Sequence, residues 1–234
     1  MDIKDEKPLL SVIIPAYNEE KTIEETLKKV KEANPQEKEI IVVDDFSTDN
    51  TPEILRKFNK SLKIVRHERN KGKGEAIKTG LEYCSGKITL IQDADTEYDP
   101  SEYEKLISPI LEGEAKIVYG SRFLGNKKHS KTKFYYANKS LSFLTSLVYR
   151  RKITDMETCY KAIETDLFKA LKPESKGFDI EPEITSKLLK KGYNIQEIPI
   201  SYFPRTREEG KKIKAKDGII AVYTLVKYRL RKIN

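Results

Sequence analysis

The stretch "KITLIQDADTEYDP", residues 87–100, decides the fold. Its first five residues are mostly apolar, with Leu90 and Ile91 adjacent, as in a strand buried on both faces. Four acids then follow within seven residues: Asp93, Asp95, Glu97 and Asp99. So many carboxylates at one chain reversal repel one another unless something answers their charge. A metal ion, the protein's own lysines, or water could do so.

Working outward, the same pattern recurs. "LLSVII" (9–14), "EIIVV" (39–43), "LKIV" (62–65) and "AKIVYG" (115–120) read as further strands. Between them Ile23, Leu27, Val30 and Ala33 recur at helical spacing, Thr51-Pro52 opens a helix, and 76–83 is helical. Strands alternating with helices predict an α/β fold, a mostly parallel sheet with helices on both faces. The second half is less regular. It offers an aromatic-rich helix at 134–149, a strand "YKAI" at 160–163 and a helix at 182–191 with Ile184, Leu188 and Leu189 apolar. An extended "YNIQEIPISYF" (193–203) follows, then a basic helix from about Ala215.

Ligands of an open parallel sheet bind beyond the carboxyl ends of its strands. There lie "PAYNEE" (15–20), "DDFSTDNT" (44–51), "HERNKGKGEA" (67–76) and "QDADTEYDP" (92–100), four loops expected to line one crevice. Asp93 and Asp95, two apart in extended chain, point the same way. They read as a site for a hard divalent cation, or equally as a solvated acidic turn. Tyr98 excludes a calcium-binding EF-hand loop, because it stands where that loop needs glycine. Asp99-Pro100-Ser101-Glu102 is a helix start, which gives Asp99 a structural task. "NKGKGEA" (70–76) is either an anion site at a helix N-terminus or an ordinary glycine turn. Of Asp44 and Asp45, one is expected to meet a nucleotide's ribose or base, the other to cap the local turn.

The composition narrows the setting. The chain's 234 residues suit one large domain, and its 38% hydrophobic content suffices for a core. Forty-five Lys and Arg against 37 Asp and Glu leave a net charge of +8, suited to nucleic acid, an anionic membrane or a phosphorylated substrate. Two cysteines, Cys84 and Cys159, read as reduced thiols of a cytoplasmic protein. "MDIKDEKPLL" has no apolar signal core, and the longest apolar stretch, Gly218 to Val226, is under half of the ~20 residues a membrane span requires. A peripheral protein at the cytoplasmic face of a membrane is expected.

Taken together and in order, Pro15-Ala16-Tyr17-Asn18-Glu19, Asp44-Asp45, Gly72-Lys73-Gly74, Asp93-Ala94-Asp95 and Gly120-Ser121-Arg122 resemble the family 2 glycosyltransferases of GT-A fold. "TDMETCYK" (154–161), "GFDIEPEIT" (177–185) and "RTREEGKKI" (205–213) extend the likeness to the dolichyl-phosphate mannose and glucose synthases. The sequence departs from that pattern at Ala137, where glycine is expected, and at Thr158-Cys159, in place of Ser-Gly.

The resemblance implies a GT-A domain over 1–210, with a nucleotide-binding half to about 122 and an acceptor-binding half from about 123, followed by a basic helix over 211–234. It implies inverting transfer of a hexose from a nucleoside-diphosphate sugar, of UDP-glucose or GDP-mannose type, to a polyprenyl (dolichyl) phosphate. Pro15, Tyr17, Glu19, Asp44, Asp45, Lys73, Gly74 and Asp93 are then expected to bind the nucleotide sugar. Asp93 and Asp95 would hold Mg²⁺ or Mn²⁺. Arg122, Arg205 and Lys211 would meet diphosphate or acceptor phosphate. Asp95, Asp155 and Arg122 are the catalytic candidates, with Asp155 facing the acceptor and acting as base if that acceptor is a hydroxyl.

Two other classes are weighed against this: a sugar nucleotidyltransferase, and a non-enzymatic polyanion-binding protein. The first wants a glycine-rich loop where Pro15 to Glu19 stand. The second sits badly with acid-lined strand ends, so no nucleic-acid partner is expected. For the C-terminal helix, Ile219, Ile220, Val222, Tyr223, Leu225 and Val226 are expected to dock on the protein. Lys227, Arg229, Arg231 and Lys232 would face an anionic membrane surface, unless a membrane partner protein supplies the attachment.

Overall fold

The computed structural model describes residues 7–124, 133–205, 212 and 215–231. Leu10, Val12, Ile13, Ile14, Ile88, Leu90 and Ile91 are fully buried. Two-faced burial of this kind is what a parallel sheet covered by helices demands. The strands are β1 (Leu10–Ala16), β2 (Lys38–Asp44), β3 (Lys63–Arg66), β4 (Ile88–Ile91), β5 (Ile117–Ser121), β6 (Lys161–Glu164) and β7 (Gln196–Pro199). They form one sheet of order β3-β2-β1-β4-β6-β5-β7, in which β6 alone runs antiparallel to its neighbours. The two halves of the chain therefore share a single sheet, with β6 and β7 flanking β5.

The helices are α1 (Ile23–Glu32), α2 (Thr51–Arg56), α3 (Lys73–Tyr83), α4 (Tyr103–Leu111), α5 (Lys133–Tyr149), α6 (Thr165–Leu171), α7 (Ile180–Lys190) and α8 (Ala215–Leu230). Ile23, Leu27 and Val30 form the buried stripe of α1, and Ala33 is buried just past its end. Some boundaries shift from their expected places. Asn50, not Thr51, is the residue before α2. Helix α3 begins at Lys73, three residues early, because the glycine turn feeds it directly. Only Gln196–Pro199 of the extended 193–203 segment pairs as strand. Asp99 does cap, accepting a hydrogen bond from Ser101 N–H at 3.0 Å ahead of a 3-10 turn that leads into α4.

Register levels the strand ends. Ala16 pairs with Asp44, Asp44 with Arg66, and Ile13 with Ile91. The loops after β1, β2, β3 and β4 consequently open on one edge. Beyond β4 the buried Gln92 Oε1 accepts from the Tyr103 and Tyr160 hydroxyls at 2.6 and 2.7 Å, while its amide donates to Asp93 O at 2.9 Å. A satisfied buried amide of this kind holds the exit of β4 in one position. A smaller apolar cluster of Tyr149, Ile153, Met156, Leu189 and Leu225 joins α5, α7 and α8.

The turn into α3 requires glycine twice. Gly72 has φ +98°, and a Cβ there would lie 2.3 Å from Lys176 O; at Gly74 it would lie 2.5 Å from Ser175 O. Glu75 N–H donates to Lys176 O at 3.2 Å, so this turn and the 175–177 segment are pressed backbone to backbone. Gly72→Ala adds both strain and a clash. It should destabilise by about 2 kcal/mol, lowering Tm by roughly 4–8 °C for a chain of this size, whereas Gly192→Ala meets only the strain of a positive φ in open space. Calorimetry on the two variants checks the difference.

Candidate active site

The acids after β4 are answered by the protein's own cations. Asp93 Oδ1 lies 2.7 Å from Lys73 Nζ at the start of α3. Asp95 Oδ2 accepts from Arg205 at 2.6 Å, and its other oxygen accepts from Glu97 N–H at 3.1 Å. Arg205 also donates to Glu19 at 2.9 Å, and Lys212 reaches Glu19 at 2.6 Å and the Tyr17 carbonyl. Glu97 accepts from Arg205 N–H and the Tyr202 hydroxyl, both at 2.7 Å. Two carboxylates two residues apart thus lean on different partners: Asp93 on the nucleotide-side turn, Asp95 on the strap that follows β7.

Their protonation differs accordingly. Burial opposes charge on Asp93, but the adjacent Lys73 ammonium outweighs it and holds the carboxyl below its ordinary value. Burial, then the neighbouring Asp93 and Glu97 charges, push Asp95 up to about 7 despite Arg205. Burial is the largest of these influences on Asp95, and the two neighbouring carboxylates add to it.

Lys73 also stands 3.2 Å from Glu181, and Glu181 stands 2.6 Å from the fully buried Lys161. A chain of alternating charges therefore runs inward from the partly exposed Asp93 and Lys73 to the buried Glu181 and Lys161. On the far side Arg122, at the end of β5, is clamped by Asp155. Its Nε and Nη2 donate at 2.7 Å to the two carboxylate oxygens, and its backbone N–H donates at 2.9 Å. The guanidinium lies 5.0 Å from the centre of the Tyr202 ring. The Asp155 clamp is itself held, because Glu197 accepts from Thr154 and Asp155 N–H groups at 2.8 and 2.9 Å.

Several expected site residues already have partners within the fold. Asp155, expected to face the acceptor, is fully buried and both its oxygens accept from Arg122. Asp45 is the local acid of its pair. It accepts from Lys71 and Gly72 N–H at 2.8 and 2.7 Å and pairs with His67 Nδ1 at 2.7 Å. The backbone donors of the glycine turn are thus filled by the protein's own carboxylate, not held open for an outside anion. Asp44 accepts from Ser47 N–H at 2.9 Å and lies 3.2 Å from Arg66, and its Oδ2 has no hydrogen-bond partner among the described residues. Pro15 is the penultimate residue of β1 and Gly74 packs on Ser175, so both shape the cleft through the backbone. Lys211 lies outside the described residues. Sequence reasoning passed over Glu97, His67, Lys161 and Lys212, all of which stand inside stretches already singled out.

Among the described residues, no three Asp, Glu, His or Cys side chains converge as a closed metal cage. The donor set would be the Asp93/Asp95 pair. Two carboxylates would suit a hard divalent ion that leaves coordination positions to diphosphate and water, placed where the neighbouring Asp93 and Glu97 charges add to burial in raising Asp95.

The sequence profile described as Glycosyl transferase family 2 matches residues 11–172. The chain belongs to this family. As a family 2 glycosyltransferase it is an enzyme, which removes the nucleotidyltransferase and polyanion-binding alternatives. It is 32% identical over 233 residues to a dolichol-phosphate mannosyltransferase of Pyrococcus furiosus, a match covering 95% of this chain and 64% of that one. To the UDP-N-acetylglucosamine–dolichyl-phosphate N-acetylglucosaminyltransferase of Methanococcus voltae it is 29% identical over 96% of this chain and 98% of the other. A dolichyl-phosphate beta-glucosyltransferase of Saccharomyces cerevisiae is 29% identical over 85% of this chain and 68% of its own. In fold the glycosyltransferase resembles the crystal structure of glucosyl-3-phosphoglycerate synthase from Mycobacterium tuberculosis, solved with Mn²⁺, UDP and phosphoglyceric acid. The TM-score is 0.73 at 20% identity, over 97% of this chain and 80% of that one. The architecture is GT-A.

The raised Asp95 carboxyl makes stability depend on pH. Between about pH 4 and 7 the folded state holds this proton and the unfolded chain releases it, so stability falls as pH rises through that window. In the ligand-free glycosyltransferase, Asp95→Asn should raise Tm at pH 8 and change it little at pH 4.5. Scanning calorimetry at the two values checks this; a lower Tm at pH 8 would show that the Arg205 pairing dominates.

Proposed function

We propose that the enzyme transfers a hexose from a nucleoside-diphosphate sugar to a polyprenyl phosphate of dolichyl type, with inversion at the anomeric carbon. The observation that carries this is the commitment of Asp155 to Arg122. The acceptor side is built around a fixed cation, with the nearby acid fully occupied in holding it. A phosphate acceptor is already an anion and needs positioning, not deprotonation; a hydroxyl acceptor would need a base. The dolichyl-phosphate activities of the three named relatives support the same acceptor.

One acceptor phosphate oxygen forms a bond to the anomeric carbon as the bond from that carbon to the diphosphate breaks. Glu19 and Asp44 are assigned to the nucleoside, beside the Tyr17 loop. Asp93 and Asp95 would hold a divalent cation, Mg²⁺ or Mn²⁺, which when bound supplies charge opposite the leaving diphosphate. Arg205 is placed to follow the same negative charge, since it already bridges Glu19 and Asp95. Arg122 receives the acceptor phosphate through its remaining donors.

The lipid acceptor implies a membrane, and two helices suit one. No helix among the described residues is long and apolar enough to cross a bilayer. On the outside of the packed α5–α8 pair, however, Phe143 and Leu147 are 71% and 65% exposed, and Ile219, Tyr223 and Leu230 are 74%, 68% and 78% exposed. The expectation that the apolar residues of α8 dock on the protein holds for Leu225 but not for these. We assign these side chains, with the exposed Lys139, Lys216, Lys227 and Arg229 of the same helices, to the surface of an anionic membrane, and place the enzyme at its cytoplasmic face.

Labelled UDP-glucose or GDP-mannose with polyprenyl phosphate should yield a lipid-extractable product without a nucleoside triphosphate. EDTA should stop the reaction, and Mg²⁺ or Mn²⁺ should restore it. Arg122→Lys, which loses the planar fork, should raise KM for the lipid about tenfold. Transfer to hydroxyl acceptors alone would overturn the reading.

The membrane assignment predicts co-sedimentation with anionic liposomes at low salt, partly released at high salt. Phe143→Ser with Tyr223→Ser should weaken binding more than Arg229→Gln with Arg231→Gln does. The opposite order would return the attachment to the basic end.

A further inference from the structure

Unpartnered polar atoms gather on Glu157, Thr158 and Glu181. Glu157 is partly exposed, but its Oε1 is sealed from solvent and has no hydrogen-bond partner among the described residues. The adjoining Thr158 is fully buried with Oγ1 likewise unpartnered. Neither carboxylate oxygen of Glu181 makes a well-directed hydrogen bond, although Lys73 and Lys161 stand close by. Buried acceptors of this kind are destabilising unless something donates to them.

Their position narrows what that donor is. Glu157 lies in the chain between Asp155, which clamps Arg122, and Lys161, which pairs with Glu181. Glu181 leads through Lys73 to Asp93, the leaving-group side. Arg122 marks the acceptor side. Between a departing diphosphate and an incoming phosphate sits the transferred sugar, the one substrate part that is uncharged and rich in hydroxyl donors. Lys161 is matched by Glu181 at 2.6 Å and Arg122 by Asp155 at 2.7 Å, so among the described residues Glu157 has no ion pair of its own. A phosphate against it would be repelled; a hydroxyl would be held.

We propose that Glu157 is a specificity-determining residue whose carboxyl group accepts hydrogen bonds from hydroxyls of the transferred hexose. Burial, against the pull of Lys161 and with the push of Glu181, raises this carboxyl to about 7, so a hydroxyl donor is met by a group that is short of partners. The proposal rests on the nucleotide-sugar reading above and extends it to the sugar itself. Residues 154–161 were singled out in the sequence for Asp155; the neighbouring acid two positions on carries this different task.

The test separates sugar from nucleotide. Titration calorimetry would measure UDP-glucose against UDP, and GDP-mannose against GDP, on the full chain with Mn²⁺. For the better pair, the wild type should bind the sugar nucleotide more tightly than the bare nucleotide. In Glu157→Gln and Glu157→Ala that advantage should shrink about tenfold, the scale of one hydrogen bond to a charged group, while bare-nucleotide affinity stays as in the wild type and reports an intact fold. An unchanged advantage, or an equal loss for nucleotide and sugar nucleotide, overturns the proposal. So does a variant whose only defect is KM for polyprenyl phosphate, which would place Glu157 on the acceptor. No acceptor enters the calorimetry. Failure to form a lipid product would therefore sink the acceptor reading while leaving this one standing.

Discussion

The pairing of Asp93 with Lys73 and of Asp95 with Arg205 is the constraint on which the cleft depends. Carboxylates brought this close after a buried strand would drive the loop apart without counter-charge. Lys73 comes from the turn that opens α3, and Arg205 from the strap beyond β7. Charge balance in one short loop thus ties together segments more than a hundred residues apart. At Asp95 burial and the neighbouring Asp93 and Glu97 charges outweigh the pull of Arg205.

The buried lysines extend the same logic inward. Lys161 has no exposure and Glu181 almost none. Removing one member of such a pair leaves the other charge stranded in a poor solvent. The chain Asp93–Lys73–Glu181–Lys161 therefore joins the donor edge of the sheet to β6, whose antiparallel insertion brings residues 154–161 beside β4 and β5. Arg122 and Asp155 face one another for the same topological reason: Tyr119 pairs with Lys161, so the ends of these strands meet.

A phosphate acceptor and a fixed arginine make a consistent pair. On the reading proposed above, no tuned base would be needed near Arg122, and Asp155 could spend both oxygens on orientation. The exposed apolar side chains of α5 and α8 would serve the same reading, because an enzyme that meets its lipid at an interface can approach it without a spanning helix.

Strand and helix order was legible in the sequence, because an apolar run buried on both faces and a helical stripe leave distinct periodicities in Ile13, Ile14, Leu90 and Ile91, and in Ile23, Leu27 and Val30. The acid-bearing loops were legible too, since a parallel sheet delivers them to one edge. Partners were not. Asp155 read as an acid facing an acceptor until Arg122 was seen to occupy it, and Asp45 read as a nucleotide ligand until the glycine turn folded onto it. In α8 the apolar residues were visible, but not that Leu225 turns inward while Ile219 and Tyr223 turn out. Sequence by itself determined which residues are charged, apolar or turn-forming and in what order, because local backbone preference and periodicity are short-range. Only the tertiary structure decided which charge neutralises which, because ion pairs such as Asp93 with Lys73 and Asp155 with Arg122 depend on distances between segments that the chain order does not encode.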